Sequence, residues 1–252
     1  MPLAINEGVR IHYRIEGSGP SLVLHHWTFA DLEWWSEFGY VEALKDSATL
    51  ILIDSRAHDN SDKPTDPEAY DLETRVRDVT CVLDAVGASR AHFLGFSMGG
   101  WIGYGMAIHA PQRLCSLTIG GAHPYEQSME GVRNFLRIGE EQGAQAFVEA
   151  WESGVAPLTS AQRARMLAFD FSAMIAAAND RASLEEPMSH VEIPSTLFVG
   201  EDDGICPQVE RAASMIPSAE LVTFPGRDHG ASIREYEHVL PLVRSMLESH
   251  PC

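Results

Sequence analysis

The sequence predicts an α/β fold, a mostly parallel central sheet with helices on both faces. Three observations predict it. Short apolar runs alternate with amphipathic helical stretches over most of the chain, the pattern of a parallel sheet covered on both sides. One of these runs, Arg90-Ala-His-Phe-Leu-Gly95, turns at Gly95-Phe-Ser-Met-Gly99 into an apolar helix that ends before Pro111. The chain's 252 residues, 45% of them hydrophobic, suit one large domain or one domain with a modest insertion.

In chain order, residues 3–16 read as a hairpin around Asn6-Glu7-Gly8, with alternating apolar and polar residues in the second strand. Ser21-Leu-Val-Leu-His25 is a short buried strand, followed by the irregular His26-Trp27-Thr28-Phe29. A helix is expected from Trp34 to Leu44, and Thr49-Leu-Ile-Leu-Ile-Asp54 is the next buried strand. From Asp71 to Val86, Leu72, Val76, Val79, Leu83 and Val86 form one apolar helical face. Asp71 is placed to cap its start and Gly87 its end. The Ser97 turn and its helix follow, then the strand Cys115–Gly120.

From 122 to 191 the alternation stops and the composition turns helical, punctuated by Gly143, Gly154, Pro157 and Pro187. It resumes with a strand at 196–200, a helix at 207–216, a strand at 220–224 and a final helix from about Ile233 to Glu248. The expected organisation is a core domain of residues 1–121 and 192–252, interrupted by a helical cap of residues 122–191. A cap of this kind covers the carboxyl edge of the sheet, where open α/β sheets place their ligands.

A formal charge of -18 argues against nucleic acid and anionic membrane surfaces as partners. No apolar stretch is long enough to span a membrane, and the first residues lack the pattern of a signal peptide. Cys81, Cys115, Cys206 and Cys252 form no metal-binding spacing. Cys81 and Cys115 read as ordinary core residues, and a reduced, cytoplasmic setting is expected. No metalloprotease motif and no phosphate- or dinucleotide-binding motif is present, so neither a metal nor a cofactor is expected.

The chemistry centres on Ser97. A Gly-x-Ser-x-Gly turn between a strand and a helix holds its serine in a strained backbone conformation and exposes the hydroxyl. The amide of the next residue, Met98, lies at a helix N-terminus, where developing negative charge is stabilised. A serine needs a general base, usually His, and the base needs an orienting carboxylate. On such a fold the order is Ser, then acid, then His. Two strand-end loops follow Ser97 and meet that order: Gly200-Glu-Asp-Asp-Gly-Ile-Cys-Pro207 and Gly226-Arg-Asp-His229-Gly. Among eleven histidines, His229 alone combines a late position, a strand-end loop and a flanking glycine.

These residues, with Gly8-Val-Arg-Ile-His-Tyr13, Leu22-Val-Leu-His25, Asp54-Ser-Arg56, Ser61-Asp-Lys-Pro64 and Gly95-Phe-Ser-Met-Gly-Gly100, give a chain that resembles the α/β-hydrolase superfamily, particularly its small esterase- and lactonase-like members. The resemblance spans nearly the whole length. It implies a Ser97–His229–Asp203 triad, because the family acid usually stands three residues after the strand-end glycine. It implies an oxyanion hole from the backbone amides of Trp27 and Met98. The chain departs from the family at His25-His26, where the usual pair is His-Gly, and at Arg56-Ala-His-Asp59, where Arg-Gly-His-Gly is frequent. His26 is thereby a candidate substrate contact, as are His123 and Tyr125 on strand-end loops and Trp151 in the cap. Phe147, Met166, Phe169, Phe171 and Met174 are further cap candidates for the pocket. The implied activity is hydrolysis of a small-molecule carboxylic ester or lactone. Thioester or C–C bond hydrolysis, acyl transfer to another acceptor and a low-turnover ligand receptor are alternatives on the same fold.

Overall fold

The structure is a computed structural model that describes residues 1–252. Eight strands form one sheet: β1 (Leu3–Asn6), β2 (Val9–Gly17), β3 (Ser21–His25), β4 (Thr49–Ile53), β5 (Ala91–Phe96), β6 (Leu114–Gly120), β7 (Ser195–Gly200) and β8 (Ala219–Phe224). Their spatial order is β1-β2-β4-β3-β5-β6-β7-β8. The β1–β2 and β2–β4 pairings are antiparallel, and the pairings from β4 through β8 are parallel. The hairpin closes at Glu7 and Gly8, both with positive φ (50° and 86°), the conformation of a two-residue turn that matches strand twist.

The twofold repeat of the strands sorts side chains into two cores. Leu22, Leu24, Leu50, Leu52 and Leu94 face one side and pack with Trp35, Tyr40, Val239 and Val243. Val23, Ile51, Phe93 and Leu117 face the other, against the helices Leu72–Ala85 and Met98–His109. Asp71 caps the first of these by accepting from the Thr74 amide at 2.7 Å.

The stretch between β6 and β7 holds five helices: Glu130–Gln142, Ala144–Gly154, Ser160–Leu167, Phe171–Ala177 and Glu185–Met188. Their apolar faces build a third core with Trp34 and Tyr70 from the body. Gln127 and Arg181 exchange two backbone hydrogen bonds, at 2.9 and 3.0 Å, which bring the two ends of this stretch together.

Three expectations need correction. The helix expected over Trp34–Leu44 is two short ones, Glu33–Glu37 and Tyr40–Leu44, because Gly39 at φ 87° breaks the run. The final helix is also divided, into His229–Arg234 and Tyr236–Ser249. Cys115 is not a free core thiol. It forms a disulfide with Cys252, across a Cα–Cα distance of 5.4 Å and a sequence separation of 137. The helix Tyr236–Ser249 packs on β5 and β6 and returns the chain to the start of β6. The cysteine argument for a reducing compartment therefore falls away. No helix is long and apolar enough to cross a membrane.

Candidate active site

Ser97 stands between β5 and the helix Met98–His109, with φ 52° and ψ −107°. A non-glycine residue in such a conformation carries a cost on the order of 1–3 kcal/mol. Backbone bonds on both sides hold it. The Ser97 amide donates to the Gly120 carbonyl at 2.8 Å, and the Trp101 amide donates to the Ser97 carbonyl at 2.9 Å. The two glycines make room for the turn. A Cβ at Gly95 would strike the Gly99 carbonyl, and one at Gly99 would strike the carbonyl of His25 at the end of β3. Ser97 is half-buried between fully buried neighbours.

His229 opens the short helix after β8, where the Asp228 side chain accepts from the Ala231 amide at 2.7 Å. Its Nδ1 lies 2.6 Å from Oδ2 of Asp203, in the loop after β7. A carboxylate oxygen accepts, so Nδ1–H donates and Nε2 is left free. Asp203 is 7% exposed, and its Oδ1 takes the Ile205 amide at 3.2 Å. Glu201 and Asp202, in the same loop, are exposed. Phe96 packs on the His229 ring, with centroids 4.9 Å apart.

Ser97 and His229 border one cavity of about 560 Å³. Trp27, Phe29, Trp34, Phe38 and Phe96 line its body side. Met129, Val132, Phe135 and Trp151 line it from the helical stretch. Apolar walls with a few convergent polar groups are the usual form of a small-molecule site. The Trp27 amide has no backbone acceptor. The Met98 amide is the first of its helix, one of the donors that a helix start leaves without an internal partner.

Residues 20–152 match the model of the alpha/beta hydrolase fold. The chain belongs to the α/β-hydrolase family. Among solved structures it is similar to a hydrolase from Pseudomonas aeruginosa PA01, at 26% identity and a TM-score of 0.83 over 97% of both chains. It is similar to the enol-lactonase from Burkholderia xenovorans LB400, at 24% identity and a TM-score of 0.85 over 98% of this chain and 100% of that one. It is also similar to the esterase RhEst1 from Rhodococcus sp. ECU1013, at 23% identity and a TM-score of 0.83 over 98% of both. The last two likenesses speak for the fold.

In this α/β-hydrolase, some anticipated substrate contacts lie elsewhere. His26 is buried and off the cavity. Its Nε2 accepts from the Ser55 amide at 3.0 Å, so Nδ1 carries the proton and donates to the Trp27 carbonyl at 2.8 Å. Both ring nitrogens are used in tying the β3 loop to the β4 loop. His123 and Tyr125 also miss the cavity. His123 Nδ1 accepts from the Tyr125 amide at 3.3 Å, and Tyr125 lies under the Arg211 guanidinium, 4.2 Å from its ring centroid. Trp151 does line the cavity. Phe147, Met166, Phe169, Phe171 and Met174 belong to the third core.

Sequence reasoning missed the polar groups Gln127, Ser128 and Arg181 on the cavity wall. No periodicity or motif marks them, because a non-local backbone pairing sets their place. Burial in this α/β-hydrolase also holds a histidine cluster neutral. It pushes His25 down to about 3 and His58 down to about 4, and holds His26 well below its ordinary value.

Two clusters hold donor atoms close enough to share a metal ion: His12 with Asp54 and Asp59, and His92 with Cys115 and Cys252. In the first, His12 Nδ1 and Asp54 bond each other at 2.6 Å, and the Leu32 amide takes the other Asp54 oxygen. In the second the two sulfurs bond each other. Neither cluster borders the Ser97 cavity.

Proposed function

We propose that this α/β-hydrolase cleaves a carboxylic ester or lactone through an acyl-Ser97 intermediate. His229 Nε2 takes the hydroxyl proton as Ser97 Oγ bonds the substrate carbonyl carbon. The carbonyl oxygen gains negative charge and is stabilised by the amides of Trp27 and Met98. The C–O bond to the leaving alcohol breaks as His229 returns the proton to that oxygen. A water then repeats the sequence on the acyl-enzyme, releases the acid and restores Ser97. Asp203 holds the His229 tautomer and stabilises the imidazolium. Every step uses these groups and water.

One observation carries the reading. A histidine whose Nδ1–H is bound to a buried carboxylate at 2.6 Å shares a cavity with a serine held at φ 52°. Residues 122–191 act in this reading as a cap that roofs the cavity and selects the acyl or alcohol group. An active-site-directed fluorophosphonate tests the reading. Stoichiometric labelling at Ser97 is expected, with turnover of 4-nitrophenyl esters or lactones, and Ser97→Ala abolishes both. Folded wild-type protein that neither labels at Ser97 nor turns over any ester or lactone of a broad panel overturns it.

A further inference from the structure

We infer that Arg181 is an anion anchor in the Ser97 cavity, and that the substrate carries a free carboxylate besides the acyl group that is cleaved. This deepens the proposed hydrolase reading and rests on it for the word substrate.

The chain has 36 acidic residues against 18 basic ones, so carboxylate partners are in excess. Among the buried or half-buried arginines, only Arg75 and Arg181 have no carboxylate within ion-pair distance. Arg75 spends its nitrogens inside the protein, on the carbonyls of Tyr70 and Ala177 and on Met98 Sδ. Arg181 does not. Its Nη1 donates to Gln127 Oε1 at 3.0 Å, and Nε and Nη2 have no protein acceptor yet are not sealed from accessible space. The residue is only 7% exposed, and it lines the cavity that holds Ser97 and His229.

Two contacts hold Arg181 in place. The Arg181 guanidinium lies over the Trp101 ring, 4.9 Å from its centroid, within cation–π reach. The two-way backbone pairing with Gln127 fixes its base. Burial, reinforced by Arg75, pushes the guanidinium down to about 9, the direction of a cation that lacks an anion. Arg234 also borders the cavity, but it is exposed and lies 3.8 Å from Asp228. A guanidinium edge offers paired N–H groups that match a carboxylate.

Adipate is the binding probe, measured by calorimetry on wild-type, Arg181→Gln and Arg181→Lys proteins whose folding is checked by circular dichroism. The kinetic probes are 4-nitrophenyl hydrogen adipate and 4-nitrophenyl hexanoate. Adipate is expected to bind wild type and to lose affinity on the order of 10²-fold in Arg181→Gln, the scale of a charge-assisted bidentate pair. The kcat/KM ratio of the adipate ester to the hexanoate should fall by a similar factor, and Arg181→Lys should recover part of it. If wild type does not bind adipate, or binds it no better than Arg181→Gln does, the anchor is refuted. An equal loss on both esters assigns Arg181 to packing and refutes it as well. Failure of the hydrolase reading looks different: Ser97 stays unlabelled by phosphonate and neither ester turns over, while adipate still binds through Arg181.

Discussion

Asp202 and Asp203 are chain neighbours in one loop, with the first exposed and the second buried against His229. Their side chains leave the loop in different directions, so one substitution at each separates orientation of the histidine from loop charge. Asp203→Asn keeps the shape and can favour the wrong His229 tautomer, and kcat should fall by about 10³–10⁴-fold. Asp202→Asn should alter kcat by less than about threefold, as a surface loop change does. The check is kcat for both on one activated ester, and a crippled Asp202→Asn beside a normal Asp203→Asn would reverse the assignment. At this scale the residues that the sequence singled out by their order, Ser97, Asp203 and His229, are ones the fold brings together, His229 on Asp203 and both His229 and Ser97 on one cavity. The sequence was uninformative where only packing decides. His26 looked like a mouth residue because a glycine is usual there, yet its ring bridges Ser55 and Trp27. Which way a side chain turns from an irregular loop depends on groups about thirty residues away, and no local pattern records them.

The elements that build the site differ in how far the sequence defined them. The β5 turn and the helix Met98–His109 were legible because glycine at 95 and 99 is required by close backbone approach. The helical stretch between β6 and β7 was legible as helix, and Trp151 alone of its residues singled out in the sequence lies on the cavity wall. Several of its aromatic residues fill its own core, while Phe135 and Trp151 reach the cavity, Trp151 packing on Phe29 with ring centroids 5.2 Å apart. Truncating Trp151 to Ala enlarges the cavity from the side of this helical stretch. Longer acyl esters should gain in kcat/KM relative to short ones, while phosphonate still labels Ser97. Loss of a buried aromatic costs roughly 3–5 kcal/mol, so the variant's melting temperature is measured first. An unchanged chain-length ranking in the folded variant would remove Trp151 from the acyl pocket.

For the molecule as a whole, the buried histidines set how stability depends on pH. His25, His26, His58, His92 and His123 all titrate below their ordinary value in the folded chain, chiefly through burial. As pH falls below about 6.5 the unfolded chain takes up these protons first. Their stabilising contribution is therefore complete above about pH 6.5 and is lost as pH falls towards 4. Two buried carboxylates act in the opposite sense. Burial raises Asp54, and raises Asp31 to about 7 despite Arg165 at 2.8 Å, so the native state holds their protons more tightly. Five histidines outweigh two carboxylates, and thermal unfolding from pH 7.5 to 4.5 should show a falling melting temperature. A rise on acidification would mean that Asp31 and Asp54 dominate.

The strand–helix alternation made the sheet legible at this scale, whereas the Cys115–Cys252 bond was invisible, since 137 residues separate two cysteines with no motif around them. The pairing of Gln127 with Arg181 was equally hidden, and it bears on how such a protein diversifies. The chain leaves the body and re-enters it at nearly one point, while β6 and β7 stay in register at Leu117↔Ser195 through Gly120↔Phe198. A segment joined in that way is a cassette. It can be lengthened, exchanged or redecorated without re-threading the sheet beneath it, so the wall facing Ser97 can change while the strand and turn that carry Ser97 are kept.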